Sequence, residues 1–324
     1  MATTPAEEES TMPADINVLS EPQTSTETVG IIGLGSMGGP MSQHLCSALP
    51  GGVHVTARHA MDVARKVGAA GVWHDSAEDL ARACSVVILM VPDMPDVREV
   101  LFKDDGLVAG FNGAAREALV VVSSTVDPQG VIALGEELRD ATQGRVHLVD
   151  APVSGGEEGA KEATLAIMVG GSDEDVSRVM PILNSLGNPV HLGPLGCGET
   201  AKACNQLIVA ATVSALGEAS LLAERSGMDV AAMFTLLQGG FAGSRLLTVN
   251  KDRLVNHDHH PSGAAKFMVK DLGFVQGIAE ATTTATPLTD ALRQVFIGLT
   301  EDGLGDENVT VVQQYLAGQA RDGQ

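Results

Sequence analysis

The stretch VGIIGLGSMG, residues 29–38, decides the fold of this chain. Its first four residues, Val29–Ile32, predict a buried strand, and a helical pattern opens where the stretch ends. Between the two, Gly33, Gly35 and Gly38 have the spacing GxGxxG. Glycines at this spacing allow a tight turn, the close approach of a pyrophosphate and close packing of helix on strand, with the helix N-terminus facing the phosphates.

The chain continues as an alternation of short apolar runs and helical patterns. The apolar runs predict strands at residues 53–57, 86–91, 119–122, 146–149 and 165–169, and the helical patterns lie at residues 37–49, 61–68, 130–142 and 173–186. The run VVILMV at 86–91 has no polar alternation, which is typical of a parallel strand covered on both faces. A glycine-rich turn alone is weak evidence, but this context favours dinucleotide binding. We assign to that site Gly33, Leu34, Gly35, Ser36, Met37 and Gly38.

The second half of the chain has a helical pattern. Residues 199–226 form one long apolar-rich stretch without proline, and further helices are predicted at 230–237, 264–281 and 287–299. The predicted fold class is α/β: an N-terminal Rossmann-type doubly wound sheet, then an all-α domain, joined by a long interdomain helix. We expect a disordered acidic tail at 1–27, a dinucleotide-binding domain at 28–193 and a helical substrate and dimerisation domain at 194–324.

Composition limits the possible partners. The formal net charge is −21, which argues against nucleic acid and anionic membranes, because phosphate-rich surfaces need a basic face. An anionic substrate would then need a local basic pocket. The four cysteines show no CxxC spacing, and neither a signal sequence nor an apolar run of about 18 residues stands out. These features favour a cytoplasmic protein.

The end of the second predicted strand bears on the choice of cofactor. An acidic residue there usually accepts hydrogen bonds from the adenosine ribose. This chain has Ala57 at that point, followed by Arg58, and an arginine can pair with a 2′-phosphate. We therefore expect NADP(H), with NAD(H) as the alternative if Arg58 is only a surface charge.

The segment DAPVSGG, residues 150–156, follows the predicted strand at 146–149. It brings a hydroxyl and two glycines to the carboxyl end of a strand, where doubly wound sheets bind ligands. Ser154 Oγ and the backbone of Gly155 and Gly156 could hold a carboxylate. An ordinary Pro/Gly turn explains the same residues equally well.

The segment GCGETAKACNQ, residues 196–206, places polar groups on an apolar helix. Lys202, Asn205 and Gln206 stand at i, i+3 and i+4, so they share one helix face. Burying a lysine and two amides without partners is costly. A ligand cleft between the domains accounts for all three residues. The alternative is that the stripe emerges into water there and Lys202 extends to solvent.

Three other features of the sequence bear on metal binding, on cysteine reactivity and on assembly. The run HDHH at 257–260 could bind a metal, but a hydrophilic loop is the better interpretation, and we expect no metal site. Cys204 has no obvious base beside it, so we expect a small core residue. The apolar stretch 199–226 offers more hydrophobic surface than a small helical domain can cover, which predicts a homo-oligomer, a dimer or a tetramer.

Several motifs, in order and at consistent spacing, resemble the β-hydroxyacid dehydrogenase family. They run from residue 29 to residue 298 and comprise GLGSMGGPM (33–41), MVPDMPDVREVLF (90–102), SSTVDP (123–128), DAPVSGGEEGA (150–160), LAIMVGG (165–171), KACNQLIVA (202–210), GGFAGSRLL (239–247) and KDL (270–272). The resemblance implies NAD(P)H-dependent reduction of a short semialdehyde acid, with the proton from a lysine. The second, sixth and seventh of these motifs bear on the substrate, and the pattern is most similar to members that reduce tartronate semialdehyde to glycerate.

The resemblance also implies the site. It names the catalytic Lys202; the substrate-binding Ser154, Gly155, Gly156, Asn205 and Gln206; and, beside the glycine-rich turn, the cofactor-binding Val91, Pro92, Thr125 and Lys270. Lys270 would close over the cofactor from the helical domain.

Departures from the family pattern leave the substrate open. Gln206 stands where many members have a second Asn, and Val122 where many have Asp. Residues 306–308 read Asp-Glu-Asn, where tartronate semialdehyde reductases often carry Asp-His-Ser. The alternatives are 3-hydroxyisobutyrate dehydrogenase or another β-hydroxyacid dehydrogenase. An alternative of another class is a non-catalytic cofactor-binding scaffold, although a scaffold has no need of a lysine on an apolar helix face.

Overall fold

The computed structural model describes residues 27–59 and 62–319. The predicted acidic tail therefore lies outside the described residues, except for its last member, Glu27. The Glu27 carboxylate accepts a hydrogen bond of 2.9 Å from Arg178 Nε. This contact ties Glu27 to the folded domain.

The first part of the described chain forms one sheet. Its strands are β1 (Val29–Ile32), β2 (Val53–Thr56), β3 (Gly71–Trp73), β4 (Val86–Leu89), β5 (Ala118–Val122), β6 (Val146–Asp150), β7 (Val153–Ser154), β8 (Leu165–Gly170) and β9 (Gly187–Gly193). The strand order is β3-β2-β1-β4-β5-β6-β8-β7, and β9 pairs with β8 off this path. Strands β1 to β6 are all parallel. The order 3-2-1-4-5-6 is that of a dinucleotide-binding sheet, as the alternation predicted.

The parallel pairing of β1 to β6 does not continue to β8. β8 runs antiparallel to both β6 and β7, and only β9 is parallel to β8. A parallel neighbour needs a crossover of a dozen or more residues. β6 and β7 pair with β8 in one continuous register, Asp150 with Gly170 and Ser154 with Ala166. The chain therefore turns back after Ser154, and the connection between Ser154 and Leu165 is too short for a parallel crossover.

The sheet is covered on both faces. Alternate residues of β1 and β4 separate into two cores: Val29 and Ile31 with Val86 and Ile88 on one side, Ile32 with Val87 and Leu89 on the other. All of these side chains are at most 5% exposed. This explains the run without polar alternation, because neither face of these strands meets water.

Helices surround the sheet and form the whole second part of the described chain. Those around the sheet are α1 (Gly38–Ala48), α2 (Val63–Lys66), α3 (Ala77–Ala83), α4 (Met94–Phe102), α5 (Leu107–Ala114), α6 (Pro128–Ala141), α7 (Gly156–Glu162) and α8 (Asp173–Leu183). Those of the helical domain are α9 (Cys197–Arg225), α10 (Val230–Gln238), α11 (Arg245–Asn256), α12 (Phe267–Thr282), α13 (Pro287–Glu301) and α14 (Val312–Gly318). The division after residue 193 stays our proposal, supported by the end of β9 at Gly193.

Helix α9 is the axis of the helical domain. It spans 29 residues and packs against α10, α11, α12, α13 and α14, with Ala210 and Val213 fully buried in the core. By length and mean hydropathy it could cross a membrane, but half of its apolar window is buried inside the fold. These contacts describe the core helix of a helical bundle.

Some elements, such as β9 and α11, had no sequence pattern that predicted them. β9 is an example, since its residues alternate between half-buried and exposed and include Pro189. Helix α11 has a negative mean hydropathy and buries only Leu247 and Leu254. Both elements are held by their neighbours and not by their own apolar residues, so hydrophobic periodicity could not reveal them.

Candidate active site

The glycine-rich turn lies between β1 and α1. Gly33 has a φ of 99°, and a Cβ there would lie 2.2 Å from the carbonyl oxygen of Met90. A Cβ on Gly38 would lie 1.8 Å from the carbonyl oxygen of Gly33. A Cβ on Gly35, by contrast, would meet no atom within 4 Å. The turn therefore needs glycine at two positions for its own packing and leaves open space at the third.

The residues between these glycines prepare the start of α1. Leu34 is buried, Ser36 is exposed, and Met37 is the N-cap residue. No side chain caps the helix. The Gly39 N–H donates to the carbonyl oxygen of Gly35 at 3.0 Å and Pro40 has no N–H, so Gly38 is the residue of the first turn that can offer its N–H to an anion. Open space over Gly35 beside an uncapped helix N-terminus fits the diphosphate of a dinucleotide.

The other predicted cofactor residues lie at the carboxyl ends of β4 and β5, the first and second strands beyond β1. Val91 follows β4, and its N–H donates to Ser124 Oγ at 3.0 Å. Thr125 follows β5, and its carbonyl oxygen accepts a hydrogen bond from Lys270 Nζ at 2.9 Å. Pro92 is exposed beside Val91. Because Lys270 belongs to α12, the helical domain meets the sheet at this edge.

Arg58 lies two residues beyond β2, at the same edge of the sheet. Its side chain is 70% exposed and forms an ion pair with Asp96 on α4. The position suits contact with the adenosine end of a dinucleotide. The sequence pattern did not reveal Asp96, whose carboxylate would compete with a 2′-phosphate for the guanidinium.

Lys202 lies in α9 and is only 7% exposed. Its Nζ donates a hydrogen bond of 2.8 Å to the carbonyl oxygen of Val153. The alternative in which Lys202 extends to solvent is therefore wrong. Burial lowers the pKa of Lys202, and the charge of Lys270 lowers it further, whereas the Asp271 carboxylate raises it, as Glu199 does when it is ionised.

A chain of hydrogen bonds connects the DAPVSGG loop with α12. Ser154 Oγ donates to Asn205 Oδ1 at 3.4 Å, and Asn205 Nδ2 donates to Gln206 Oε1 at 3.0 Å. Gln206 Nε2 then donates to Asp271 Oδ2 at 2.6 Å. Asp271 is 3% exposed and also accepts from Lys270 Nζ at 3.0 Å. The predicted substrate residues thus belong to one network, anchored by an aspartate to which the sequence assigned no role.

The two glycines of the loop adopt conformations that favour glycine. Gly155 has a φ of 136° and Gly156 a φ of 65°, which side chains other than hydrogen rarely allow. Both residues are exposed. Their predicted contact with a substrate carboxylate remains a prediction.

Two buried carboxyl groups beside the site were not predicted. Asp150, at the end of β6, is 0% exposed and accepts hydrogen bonds from the N–H groups of Gly196 at 2.9 Å and Glu199 at 2.7 Å. Glu199 Oε2 accepts from the N–H of Val126 at 3.2 Å. Burial raises the pKa of both acids. The sequence did contain a signal for them, because Asp150 lies inside the motif DAPVSGG and Glu199 inside the motif GCGETAKACNQ.

A groove of about 580 Å³ lies between α12 and α13. Its lining includes the cations Lys266, Lys270 and Arg293 and the rings of Phe267 and Phe274. Lys266 pairs with Asp306 and Lys270 with Asp271, so the groove combines two ion-paired lysines and Arg293 with a largely apolar lining. Lys270 belongs to both this groove and the interdomain edge.

The structure also shows the surroundings of Cys204 and of the HDHH run. Cys204 is exposed on α9, so the expectation of a core residue is wrong. In the HDHH run, His259 is buried with Nδ1 3.0 Å from Thr310 Oγ1, and His260 Nδ1 lies 2.6 Å from Asp258 Oδ1. The part of the chain that the structure describes contains no group of three or more His, Cys, Asp or Glu residues that could hold a metal ion.

Comparisons with known proteins agree with this geometry. Residues 28–197 match the family model described as the NAD-binding domain of 6-phosphogluconate dehydrogenase. Residues 196–316 match the model described as the NAD-binding domain of NADP-dependent 3-hydroxyisobutyrate dehydrogenase.

Individual relatives cover most of the chain. A 2-hydroxy-3-oxopropionate reductase of Escherichia coli K12 is 36% identical over 270 residues, 83% of this chain and 89% of the relative. An NAD-dependent L-serine dehydrogenase of Pseudomonas aeruginosa is 30% identical over 89% of this chain and 97% of its own length. The crystal structure of a 3-hydroxyisobutyrate dehydrogenase from Salmonella typhimurium superimposes with a TM-score of 0.77 at 28% identity, covering 89% of this chain and 99% of that structure.

The fold and these similarities define an NAD(P)-dependent oxidoreductase with a dinucleotide-binding sheet followed by a helical domain. The chain belongs to the β-hydroxyacid dehydrogenase family. The hypothesis of a non-catalytic scaffold finds no support in these similarities and is set aside.

Proposed function

We propose that this enzyme reduces tartronate semialdehyde, 2-hydroxy-3-oxopropanoate, to glycerate. The observation that carries the proposal is the buried Lys202 ammonium, which lies against the carbonyl oxygen of Val153 at 2.8 Å, beside the Ser154–Asn205 contact. The similarity to a 2-hydroxy-3-oxopropionate reductase supports this choice of substrate. Lys202 is the proton donor in this proposal.

The residues of the chain would divide the reaction as follows. The bound nicotinamide supplies the hydride. As the carbonyl oxygen of the substrate gains negative charge, the Lys202 ammonium stabilises that charge and donates a proton to the oxygen. Asn205 and Gln206 orient the oxygen, and their own orientation is fixed by Asp271.

The carboxylate of the substrate would bind at the DAPVSGG loop. Ser154 Oγ and the backbone N–H groups of Gly155 and Gly156 supply neutral donors. The positive charges of Lys202 and Lys270 offset the negative charge of the whole chain at this place. An acid whose carboxylate is separated from the reacting carbonyl carbon by one carbon atom is the ligand that such a set of donors suits.

Oxidation of the hydroxy acid requires the opposite protonation state. Lys202 must then be neutral so that it can accept the hydroxyl proton. Burial lowers the pKa of Lys202, and this shift brings the neutral form closer to physiological pH. The same lysine can therefore work in both directions.

We also propose NADP(H) as the preferred cofactor, through Arg58 and a 2′-phosphate. The guanidinium is exposed and needs only to exchange its ion pair with Asp96 for one with the phosphate. NAD(H) is the alternative if Asp96 keeps the guanidinium.

A second candidate function is 3-hydroxyisobutyrate dehydrogenase or another β-hydroxyacid dehydrogenase. The observation that favours it is the Asp-Glu-Asn sequence at 306–308. Asp306 forms an ion pair with Lys266 at 2.5 Å, and Asn308 Nδ2 donates to Ser262 Oγ at 2.7 Å. Both side chains thus have partners in the helical domain that do not require a substrate.

A spectrophotometric panel tests these alternatives. Tartronate semialdehyde, methylmalonate semialdehyde, 3-hydroxyisobutyrate, L-serine, L-threonate and glycerate would be assayed with each cofactor through the absorbance of the reduced nicotinamide. The proposal predicts the highest kcat/KM for tartronate semialdehyde with NADPH. A higher kcat/KM for 3-hydroxyisobutyrate and its semialdehyde would replace the proposed substrate and leave the family unchanged.

We further infer a homo-oligomer in the cytoplasm. The helical domain exposes large apolar side chains, among them Ile208 and Leu222 on α9, which are 64% and 68% exposed, and Leu236, which is 78% exposed. A second copy of the chain would cover such a surface. Light scattering of the purified protein gives the number of subunits, and a monomer would contradict this inference.

A further inference from the structure

Glu199 is a buried acid that the proposed reaction does not use. Its side chain is 1% exposed, and it precedes Lys202 by three residues, on the same face of α9. One carboxyl oxygen, Oε2, accepts the N–H of Val126 at 3.2 Å. The other, Oε1, is buried and has no hydrogen-bond partner among the described residues. A buried carboxylate needs several donors, and this one has a single donor.

The neighbouring acid, Asp150, is better suited than Glu199 to carry a negative charge. It accepts the N–H groups of Gly196 and Glu199 at the N-terminus of α9, where the helix dipole favours an anion. Two buried acids so close together do not ionise with equal ease, and the one with fewer donors keeps its proton.

The charged groups around Glu199 agree with this assignment. Burial raises the pKa of Glu199 well above its usual value, and the Asp150 carboxylate adds to the rise. The N–H of Val126 and the charges of Lys202 and Lys270 lower the pKa of Glu199, but the net shift is still upward.

Glu199 also holds one end of a loop at the cofactor edge. Hydrogen bonds hold the loop of residues 123–126 to several elements, among them the bonds from the N–H of Val91 to Ser124, from Lys270 to the Thr125 carbonyl, and from the Val126 N–H to Glu199. Only the last connects the loop directly to the helix that carries Lys202.

We propose that Glu199 is a positioning residue that carries a proton at neutral pH. Its Oε2 anchors the loop containing Thr125 to α9, and the uncharged carboxyl group leaves Lys202 free to lose and regain its own proton. An ionised Glu199 would add its charge to that of Asp271 and hold the proton on Lys202. This inference rests on the proposed role of Lys202 and extends it to the residue one turn earlier.

Infrared difference spectroscopy tests the protonation state directly. The spectrum of the wild-type protein minus that of Glu199→Gln, at neutral pH, should contain the C=O band of a protonated carboxylic acid. The matched control is Glu218→Gln, which makes the same change at an exposed position of α9 and should remove a carboxylate band instead. A carboxylate band lost in Glu199→Gln would overturn the proposal.

The pH profile separates a charge effect from a purely structural one. Glutamine keeps an acceptor for the Val126 N–H and matches a neutral acid, so the alkaline midpoint of kcat/KM should stay at the wild-type pH in Glu199→Gln. A midpoint lowered by about one unit would mean that Glu199 is ionised and normally raises the pKa of Lys202, which contradicts the proposal.

The anchoring role has its own measurement. Glu199→Leu removes the acceptor and should raise the Kd of the cofactor about tenfold, the effect of losing one hydrogen bond. Glu199→Gln keeps an acceptor, so its Kd should stay close to the wild-type value. An unchanged Kd in Glu199→Leu would refute the anchor. The infrared band and the Kd are measured on protein without substrate. They therefore test Glu199 even if Lys202 proves not to be the proton donor.

Discussion

Lys270 on α12 donates a hydrogen bond of 2.9 Å to the carbonyl oxygen of Thr125 in the loop after β5. The bond joins the helical domain to the carboxyl edge of the sheet, two strands away from the glycine-rich turn. Since the same ammonium also pairs with Asp271 at 3.0 Å, one side chain connects the proposed cofactor site with the network around Lys202.

Replacement of this ammonium should weaken cofactor binding. Lys270→Met keeps the length of the side chain and removes its charge, and we expect the cofactor Kd to rise at least about tenfold, as for a lost charge-assisted bond. Fluorescence titration with NADPH measures it. Lys266→Met is the matched control, because Lys266 lines the same groove and pairs with Asp306. Equal effects in both variants would contradict the predicted contact.

Removal of the Lys202 amine should affect the chemical step. We expect Lys202→Ala to lower kcat by about two orders of magnitude or more, because proton transfer and charge stabilisation are both lost. The cofactor Kd should remain close to the wild-type value. Lys161→Ala, at an exposed lysine of α7, serves as the control. Normal turnover of Lys202→Ala would exclude Lys202 as the proton donor.

The pH dependence should respond to Asp271. Among the charged neighbours of Lys202, the Asp271 carboxylate is the strongest influence that raises its pKa, so Asp271→Asn should lower that pKa. Reduction needs the ammonium form, and activity is lost as pH rises through the pKa of Lys202. The alkaline limb of kcat/KM should therefore move to lower pH in the variant. The control variant Asp306→Asn should not move the alkaline limb. A shift of the limb to higher pH in Asp271→Asn would contradict the argument.

Cofactor preference should depend on one ion pair. Arg58→Ala should weaken NADPH binding more than NADH binding, because only NADPH has the 2′-phosphate. Asp96→Asn frees the guanidinium and should strengthen NADPH binding selectively. The ratio of the two Kd values measures both effects, and equal changes for the two cofactors would remove Arg58 as a phosphate ligand.

The glycine-rich turn permits a test that separates stability from binding. A Cβ on Gly35 meets no protein atom within 4 Å, so Gly35→Ala should leave the Tm unchanged. The added methyl would occupy the space of the diphosphate, and we expect at least about a tenfold rise in the cofactor Kd. Gly51→Ala, also open at its Cβ, should change neither. A lower Tm in Gly35→Ala would show that the position serves packing.

Much of the fold was predictable because it depends on local patterns. The apolar runs identified β1, β2, β4, β5, β6 and β8, since buried parallel strands need apolar residues on both faces. The reversal at β8 was not predictable from those runs, because it follows from the short connection between β7 and β8. The exposed position of Cys204 was also missed, since a single residue on a helix can face a core or solvent.

The site was predictable as a set of residues but not as a network. Spacing put Lys202, Asn205 and Gln206 on one helix face, and the structure brings Ser154 to Asn205 across the domains. The acids Asp150 and Glu199 were missed because their importance comes from burial, which a sequence does not state. Asp96 was missed for a similar reason, since the ion pair with Arg58 joins two separate elements.

The amino-acid sequence by itself determined the class of protein, because the glycine spacing, strand and helix periodicities and ordered motifs all arise from neighbouring residues. The tertiary structure alone decided which polar groups lie buried together. Ionisation depends on distances and on exclusion of water, and these are set by contacts between residues far apart in the chain: Lys202 with Val153, Gln206 with Asp271, and Glu199 with Val126.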